Sequence, residues 1–435
     1  MDNTLKERME SANLLNKARN YSDAIAIYEE VLQKDDSAFS GWDARCYVNS
    51  LRKSGKPSSA ITFARSWLAK NASNQHVLNE LAWSLYDQYL KGDTGKEAQL
   101  VEAGNEILKI CKPDDMFAPS KQAIFKIVKY YMKLAIPRYE KALEWLEQLD
   151  VKQLSDQETQ SFDKDGKTKP GASDLEKYYA AKTSILLNLE RYSECRQYID
   201  LAQQRISVFH DNQDIWMERR KAKCLVKMGR IEDAEKIMTK VLMRKREWYI
   251  FHEMAEIAFA QGNTAKAIRY AIDGTMAYGE PERKIHLFEL MAQILRARGD
   301  ETIAKLHMEL VAAIRKEKAW SISQVLHESL KSYGIEMKAI ESSVTILRKL
   351  KVIWESLKFV DQALNSGKIR TILEHGKSGF IETTDNKSYF FRLASIVGSP
   401  KLAKPGTAVT FFLEEGFDAK KGKASLNAVN VKISQ

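Results

Sequence analysis

Among the residues whose types and spacing suit chemistry, two aromatic rings and a guanidinium near the C-terminal end stand out. Phe380, Phe390 and Arg392 fall in the short segments "KSGFIET" and "SYFFRLASI", and successive side chains of an extended strand point to opposite sides. With Ile381, Tyr389 and Phe391 turned inward, Ser378, Phe380, Phe390 and Arg392 share the outer face. Exposed rings stack on nucleobases at about 1–3 kcal/mol per base, and nearby cations attract a phosphate backbone. Lys368, Arg370, Lys377, Lys420, Lys421 and Lys423 supply those cations. The chemistry this predicts is recognition of RNA or single-stranded DNA, with no bond made or broken.

Other chemistry-bearing patterns fail on spacing. His252–Glu253–Met254–Ala255–Glu256 places an imidazole and a carboxylate as a zinc-protease helix does, but that chemistry needs a second imidazole where Glu256 stands. Gly376–Lys377–Ser378 ends like a phosphate loop, yet Thr371 occupies the position of the required earlier glycine and a strand follows instead of a helix. His76, His210, His286, His307, His327 and His375 fall singly, without companions at a metal-ligand spacing. Cys46, Cys111, Cys195 and Cys224 are too scattered for a metal knuckle or a redox pair and read as reduced, buried residues. No catalytic residue, metal or cofactor is expected.

The rings and cations must be positioned by the segment that begins at Ser366. It holds 11 Lys/Arg against 6 Asp/Glu, an excess of 11 − 6 = +5 within a chain of net charge +10. Its texture is "GKIRTIL", "KSGFIET", "SYFFRLASI", "AVTFFLEE" and "SLNAVNVKI", divided by turn-rich pieces. Five short alternating strands in so few residues predict a small all-β barrel. Gly367, Gly379–Phe380–Ile381, Tyr389–Phe390–Phe391–Arg392 and Lys421–Gly422–Lys423 follow an order that resembles the cold-shock domain, an oligonucleotide-binding fold. The resemblance implies nucleic-acid binding on the outward aromatic face. It also implies aromatics near Thr371, Ile372 and Ser378, which are absent here, and a histidine where Arg392 stands.

The preceding three quarters of the chain are organised differently. Gly55 is followed five residues later by Ala60, Gly229 by Ala234, Gly262 by Ala267 and Gly299 by Ala304, with weaker copies at Arg19 and Ala24 and at Glu190 and Cys195. Further apolar residues follow each small one at helical spacing: Tyr28 and Val31, Ala64 and Trp67, Ile199 and Ala202, Met238 and Val241, Ala271 and Gly274, Met308 and Val311. This predicts a helix ending near the glycine, which can take the left-handed conformation, then a tight turn and a second helix packed closely through the small residue. Neighbouring copies lie 36, 39, 33 and 37 residues apart, near the roughly 34-residue period of one repeat class. With "KMGRIEDAEKIMTKVL" and "AQGNTAKAIRYAIDG", the chain resembles a tetratricopeptide-repeat protein.

The expected fold class is therefore a multidomain chain, an all-α helical-repeat solenoid followed by a five-stranded barrel. The expected boundaries are 1–149 for partly divergent repeats with longer helices, 150–173 for a polar flexible loop, 174–318 for clearer repeats, 319–365 for capping and connecting helices, and 366–435 for the barrel. Within the capping segment Ile346, Leu350, Ile353, Leu357 and Val360 recur at helical spacing. Basic runs at Arg219, Arg220, Lys221, Lys223 and Lys227 and at Arg244, Lys245 and Arg246 read as solvated surface. Arg45 and Asn49 lie one turn apart, a pairing that resembles the carboxylate-holding positions of some peptide-binding repeats.

No leader or membrane-spanning run is apparent, so a cytoplasmic location is expected. The partners expected are a protein or peptide on the solenoid and RNA or single-stranded DNA on the barrel, making the chain a non-enzymatic adaptor. The alternative is a purely protein-binding scaffold of a bacterial regulatory or host-defence complex, with the barrel used for assembly.

Overall fold

The computed structural model describes residues 3–92, 96–111, 118–162, 166–359, 362–418 and 423–434. The chain divides into two compact units, Met1–Arg220 and Lys221–Gln435. In the first unit the helices are α1 (Asn3–Lys17), α2 (Tyr21–Lys34), α3 (Gly41–Lys53), α4 (Pro57–Lys70), α5 (Gln75–Leu85), α6 (Glu97–Ile110), α7 (Ser120–Lys133) and α8 (Tyr139–Leu146). After a short hairpin come α9 (Asp174–Asn188), α10 (Tyr192–Arg205) and α11 (Gln213–Lys227), the last crossing the division. α1 packs on α2 and α3 on α4, while α3 also meets α1 and α5, so successive pairs stack.

The turns form as the glycine spacing predicts. Gly55, Gly229, Gly262 and Gly299 all have φ between +75° and +93°, the left-handed region that glycine enters without steric penalty. At the weaker copies Arg19 and Glu190 take the same conformation at φ +64° and +59°. The chain then folds back, as where Lys56 N–H donates to the Leu51 carbonyl at 2.9 Å. Ala24, Ala60, Cys195, Ala234, Ala267 and Ala304 are fully buried at the helix contacts.

Two expectations for the first unit are corrected. Between residues 74 and 149 the helices are not longer than elsewhere: α5 has 11 residues, α8 has 8, and a five-residue π-type turn, Tyr86–Leu90, extends α5. The polar stretch 150–173 is not simply a loop, because β1 (Thr159–Phe162) and β2 (Thr168–Gly171) pair antiparallel within it. Thr159 Oγ1 donates to the Ala172 carbonyl at 2.8 Å and closes the base of this hairpin.

The second unit continues with α12 (Ile231–Arg244), α13 (Trp248–Ala260), α14 (Thr264–Met276), α15 (Ile285–Arg298), α16 (Glu301–Glu317), α17 (Gln324–Ser332) and α18 (Ser343–Leu357). α18 packs on α16 and α14 and buries Ile346, Leu350 and Trp354, so it covers the last repeat. Trp354 stacks on Phe288 and donates from Nε1 to His307 Nε2 at 2.9 Å. Val360, which continues the helical spacing, lies outside the described residues.

The barrel follows as β3 (Asn365–Ile372), β4 (Ser378–Glu382), β5 (Ser388–Arg392), the short β6 (Ile396–Val397), β7 (Ala408–Asp418) and β8 (Lys423–Ile433). The strand order β5–β4–β3–β7–β8 closes through a parallel pairing of β5 with β8. This five-stranded closed barrel has a connectivity consistent with the oligonucleotide-binding fold. Ile369, Ile381, Phe391, Val409, Phe411, Ala428 and Val431 fill it. Gly367 and Gly379 are required by close approach: a Cβ on Gly379 would stand 2.3 Å from the Thr371 carbonyl oxygen, and one on Gly367 2.6 Å from that of Glu382.

The barrel meets the helices of its own unit along β7. Phe359 stacks on Phe412 at 4.7 Å between centroids and 14° between planes. Lys358 Nζ lies 2.6 Å from Asp273 on α14 and 3.2 Å from Glu414 on β7.

Candidate nucleic-acid interface

The pairing registers give the outward face of the barrel directly. Phe380 lies across from Phe390, with Thr371 of β3 beside Phe380 and Asn427 of β8 beside Phe390. Ile381 and Phe391, one residue on, are fully buried in the barrel. Tyr389 is half-buried and packs against that core. The two phenylalanine rings meet edge to face at 5.8 Å and 71°, a favourable aromatic arrangement. Both are half-buried, so the expectation of fully bare rings is corrected: each ring covers part of the other.

Ser378 and Arg392 face each other in the next row along the strands. Arg392 is exposed, whereas Ser378 is 5 % exposed, which corrects its expected place on the open face. The reason is local: the turn brings His375 Nε2 to 3.3 Å from the Ser378 hydroxyl and covers it. Lys377, in that same turn, is exposed. Lys368 and Arg370 are exposed on β3, where a bulge between Ile369 and Thr371 keeps both Arg370 and Thr371 on the outer side. Lys423 opens β8 four residues before Asn427, roughly 13 Å along the strand. Lys420 and Lys421 lie outside the described residues.

The structure thus brings together Phe380, Phe390, Arg392, Arg370 and Lys368, sets Lys377 at their edge and leaves Lys423 at the far end of β8. Sequence reasoning missed three neighbours. Thr371 and Asn427 extend the ring row on either side, and Glu382, paired across from Lys368 and Ser388, puts a carboxylate on the same face. Strand parity alone would have found Glu382, since it stands two residues from Phe380. In the β4–β5 turn, Lys387 and Thr383 hydrogen-bond Asp385 and hold its carboxyl down to about 2.

The candidate peptide-holding pair of the solenoid is occupied by the chain itself. Asn49 Nδ2 donates to Glu80 Oε1 and Oε2 at 3.1 and 3.2 Å, Arg52 reaches Glu80 at 3.2 Å, and Arg45 lies 3.7 Å from it. The buried Glu80 carboxylate stands where an incoming carboxylate would have to sit. His252 lies 3.6 Å from Glu256, and burial pushes its imidazole down to about 4, which keeps it neutral. Among the described residues, no three His, Cys, Asp or Glu side chains gather as metal ligands, and no helix is long and apolar enough to cross a membrane.

The fold is a series of stacked helical hairpins, similar in their turns and spacing to tetratricopeptide repeats, with a small closed β-barrel in the second unit. Residues 215–349 match a family described as a domain of unknown function (DUF7017), well under half of the chain. No curated protein matches it. Among solved structures, it is similar to a tetratricopeptide repeat protein from Parabacteroides merdae, at 13% identity and TM-score 0.31, over 66% of this chain and 99% of that one. It is also similar to PilW, a type IV pilus biogenesis factor, at 16% identity and TM-score 0.37, over 59% and 98%. The C-terminal part of a repeat protein from Cytophaga hutchinsonii aligns at 10% identity and TM-score 0.34, over 66% and 95%. The repeat architecture itself rests on the turns and buried small residues described above.

Proposed function

We propose that this chain is a non-enzymatic adaptor whose helical repeats hold a protein or peptide partner and whose barrel binds RNA or single-stranded DNA. The observation that carries the second half is the Phe380–Phe390 pair on the outer face of β4 and β5. It is flanked by exposed Arg392, Arg370 and Lys368, and the docked wall is another strand, β7. Every base has a π-face to lay on a ring, while the cations attract phosphates. Lys377 extends the positive field at the edge of this face, and Lys420, Lys421 and Lys423 belong to the same proposed site by sequence. Arg392, in the place where the resemblance implies histidine, stacks and binds phosphate at once. The four cysteines are buried and form no disulfide among the described residues, which fits a reducing cytoplasmic setting.

The test is fluorescence anisotropy with a labelled short single-stranded oligonucleotide. At about 1–3 kcal/mol per stacked base, the Phe380→Ala, Phe390→Ala variant should bind at least about tenfold more weakly than the parent. The parent's affinity should fall steeply with added salt. Equal affinity of variant and parent would remove this face from nucleic-acid binding.

A second reading is favoured by one observation, that the rings are half-buried against each other and that small residues, Thr371 and Ser378, stand where further aromatics would enlarge the platform. On that reading the barrel serves assembly and the chain is a purely protein-binding scaffold of a bacterial regulatory or host-defence complex. Partners that survive nuclease treatment in a pull-down, joined to absent oligonucleotide binding, would decide for it.

A further inference from the structure

We propose that Glu382 makes the ring face selective for the base it holds, favouring guanine and disfavouring uracil and thymine. This rests on the nucleic-acid reading above and adds the identity of the base to it.

The face is polar along the strands. The ring row, Phe380 with Phe390, is bordered on one side by Arg392 across from Ser378, and on the other by Glu382 across from Ser388. Lys377, immediately before Ser378, adds a second exposed cation on the Arg392 side. Lys368 and Arg370 stand on the Glu382 side, where the carboxylate offsets part of their charge, so a phosphate is held more firmly on the Arg392 side. A nucleotide stacked on the rings therefore lies with its backbone toward Arg392 and its base edge toward Glu382. The carboxylate stands two residues from Phe380 on the same strand face, roughly 7 Å along β4, within reach of the edge of a base laid on the ring.

Glu382 keeps acceptor capacity there. Arg370 forms an ion pair with it at 3.7 Å, beyond hydrogen-bond distance and weak at this exposure. Lys368 pairs with Glu382 through the β-ladder, yet no ion pair joins their side chains among the described residues. Neither carboxylate oxygen accepts a hydrogen bond among the described residues, so both keep room for donors beside the Arg370 ion pair.

An ionised carboxylate offers no donor. Of the four bases, guanine presents two adjacent donors on its pairing edge, the N1 imino and N2 amino groups, and these match the two oxygens in a bidentate pair. Cytosine and adenine present one amino group. Uracil and thymine present a single imino proton between two carbonyl oxygens, which the carboxylate repels. Single strands leave this edge open to be read.

The experiment is anisotropy with labelled oligothymidylate, unsubstituted or carrying one central guanine or cytosine, against the full chain and its Glu382→Gln and Glu382→Ala variants. The parent should favour the guanine oligonucleotide over oligothymidylate by about tenfold, the scale of one good bidentate contact, with cytosine between. Both variants should bring the oligonucleotides within about twofold of one another without weakening oligothymidylate. Equal affinities in the parent, or a preference that survives both variants, overturns the assignment. Binding that is lost in the Phe380→Ala, Phe390→Ala variant but lacks base preference sinks this inference alone. If the parent binds no oligonucleotide, this inference and the nucleic-acid reading fall together.

Discussion

Lys358 is predicted to hold the barrel against the helices of its unit. Replacing it with Met keeps most of the alkyl stem and removes the charge. Asp273, 2.6 Å away, then loses its cation while its carboxylate stays only 16% exposed, and burial already pushes its protonation upward. Removing one partner of a buried ion pair costs about 3–5 kcal/mol, whereas an exposed pair is worth about 1 kcal/mol or less. Lys358 and Glu414 are 20% and 30% exposed, so the joint falls between these limits, and Lys358→Met should cost about 2–4 kcal/mol. The Phe359–Phe412 stack remains and limits the loss. Asp273→Asn combined with Lys358→Met removes the stranded carboxylate and should return a good part of the cost, a coupling of about 1–3 kcal/mol. Urea unfolding gives these energies, and hydrogen exchange along β7 reports whether the joint has opened. A single variant within about 0.5 kcal/mol of the parent, or a strictly additive double variant, would refute the reasoning.

Three further outcomes are expected. Burial pushes His307 down to about 4, so its contribution to stability is full above the unfolded value near 6.5 and is lost as pH falls toward the folded one. Trp354→Phe, which strips His307 Nε2 of its donor, should cost about 1–3 kcal/mol in urea unfolding. His210 behaves oppositely: Glu176, hydrogen-bonded to Nδ1 at 2.7 Å, raises it, and Glu158 stands 3.3 Å from Nε2. Its stabilisation is present below about 6.5 and lost as pH rises through the raised folded value, so His210→Gln should flatten the pH dependence of exchange in the β1–β2 hairpin after correction for intrinsic rates. Gly379→Ala would drive a Cβ to 2.3 Å from the Thr371 carbonyl oxygen and 2.8 Å from the Phe391 ring, which should cost about 1–3 kcal/mol or more in thermal unfolding of the barrel.

The repeat was legible because its two constraints are local. A left-handed turn selects glycine at Gly55, Gly229, Gly262 and Gly299, and a tight helix contact selects a small residue five positions later. Even the weaker copies at Arg19 and Glu190 kept their turns, since the apolar spacing beyond Ala24 and Cys195 already fixed the helices. The barrel strands were legible through alternation, with Ile381 and Phe391 inward and Phe380 and Phe390 outward. What escaped depended on residues distant in sequence or on turns. The β1–β2 hairpin has no apolar alternation to announce it. Ser378 is buried by a turn histidine, not by its strand parity. Asn427 reaches the ring row only because β8 pairs in parallel with β5. Lys358 carries a charge that composition assigns to the surface, and its partners Asp273 and Glu414 come from elements on either side of it in sequence.

That parallel junction has a consequence for how the protein matures. β5 is bonded on one side to β4 and on the other to β8, which leaves the ribosome after β7. Until β8 arrives, β5 is an open edge with unpaired amides and carbonyls, prone to join any extended chain nearby. Ring closure also brings together strands far apart along the polypeptide, a slow kind of step. The β4–β5 wall is therefore completed late, and substitutions that weaken β8 should show first as self-association of nascent or refolding protein.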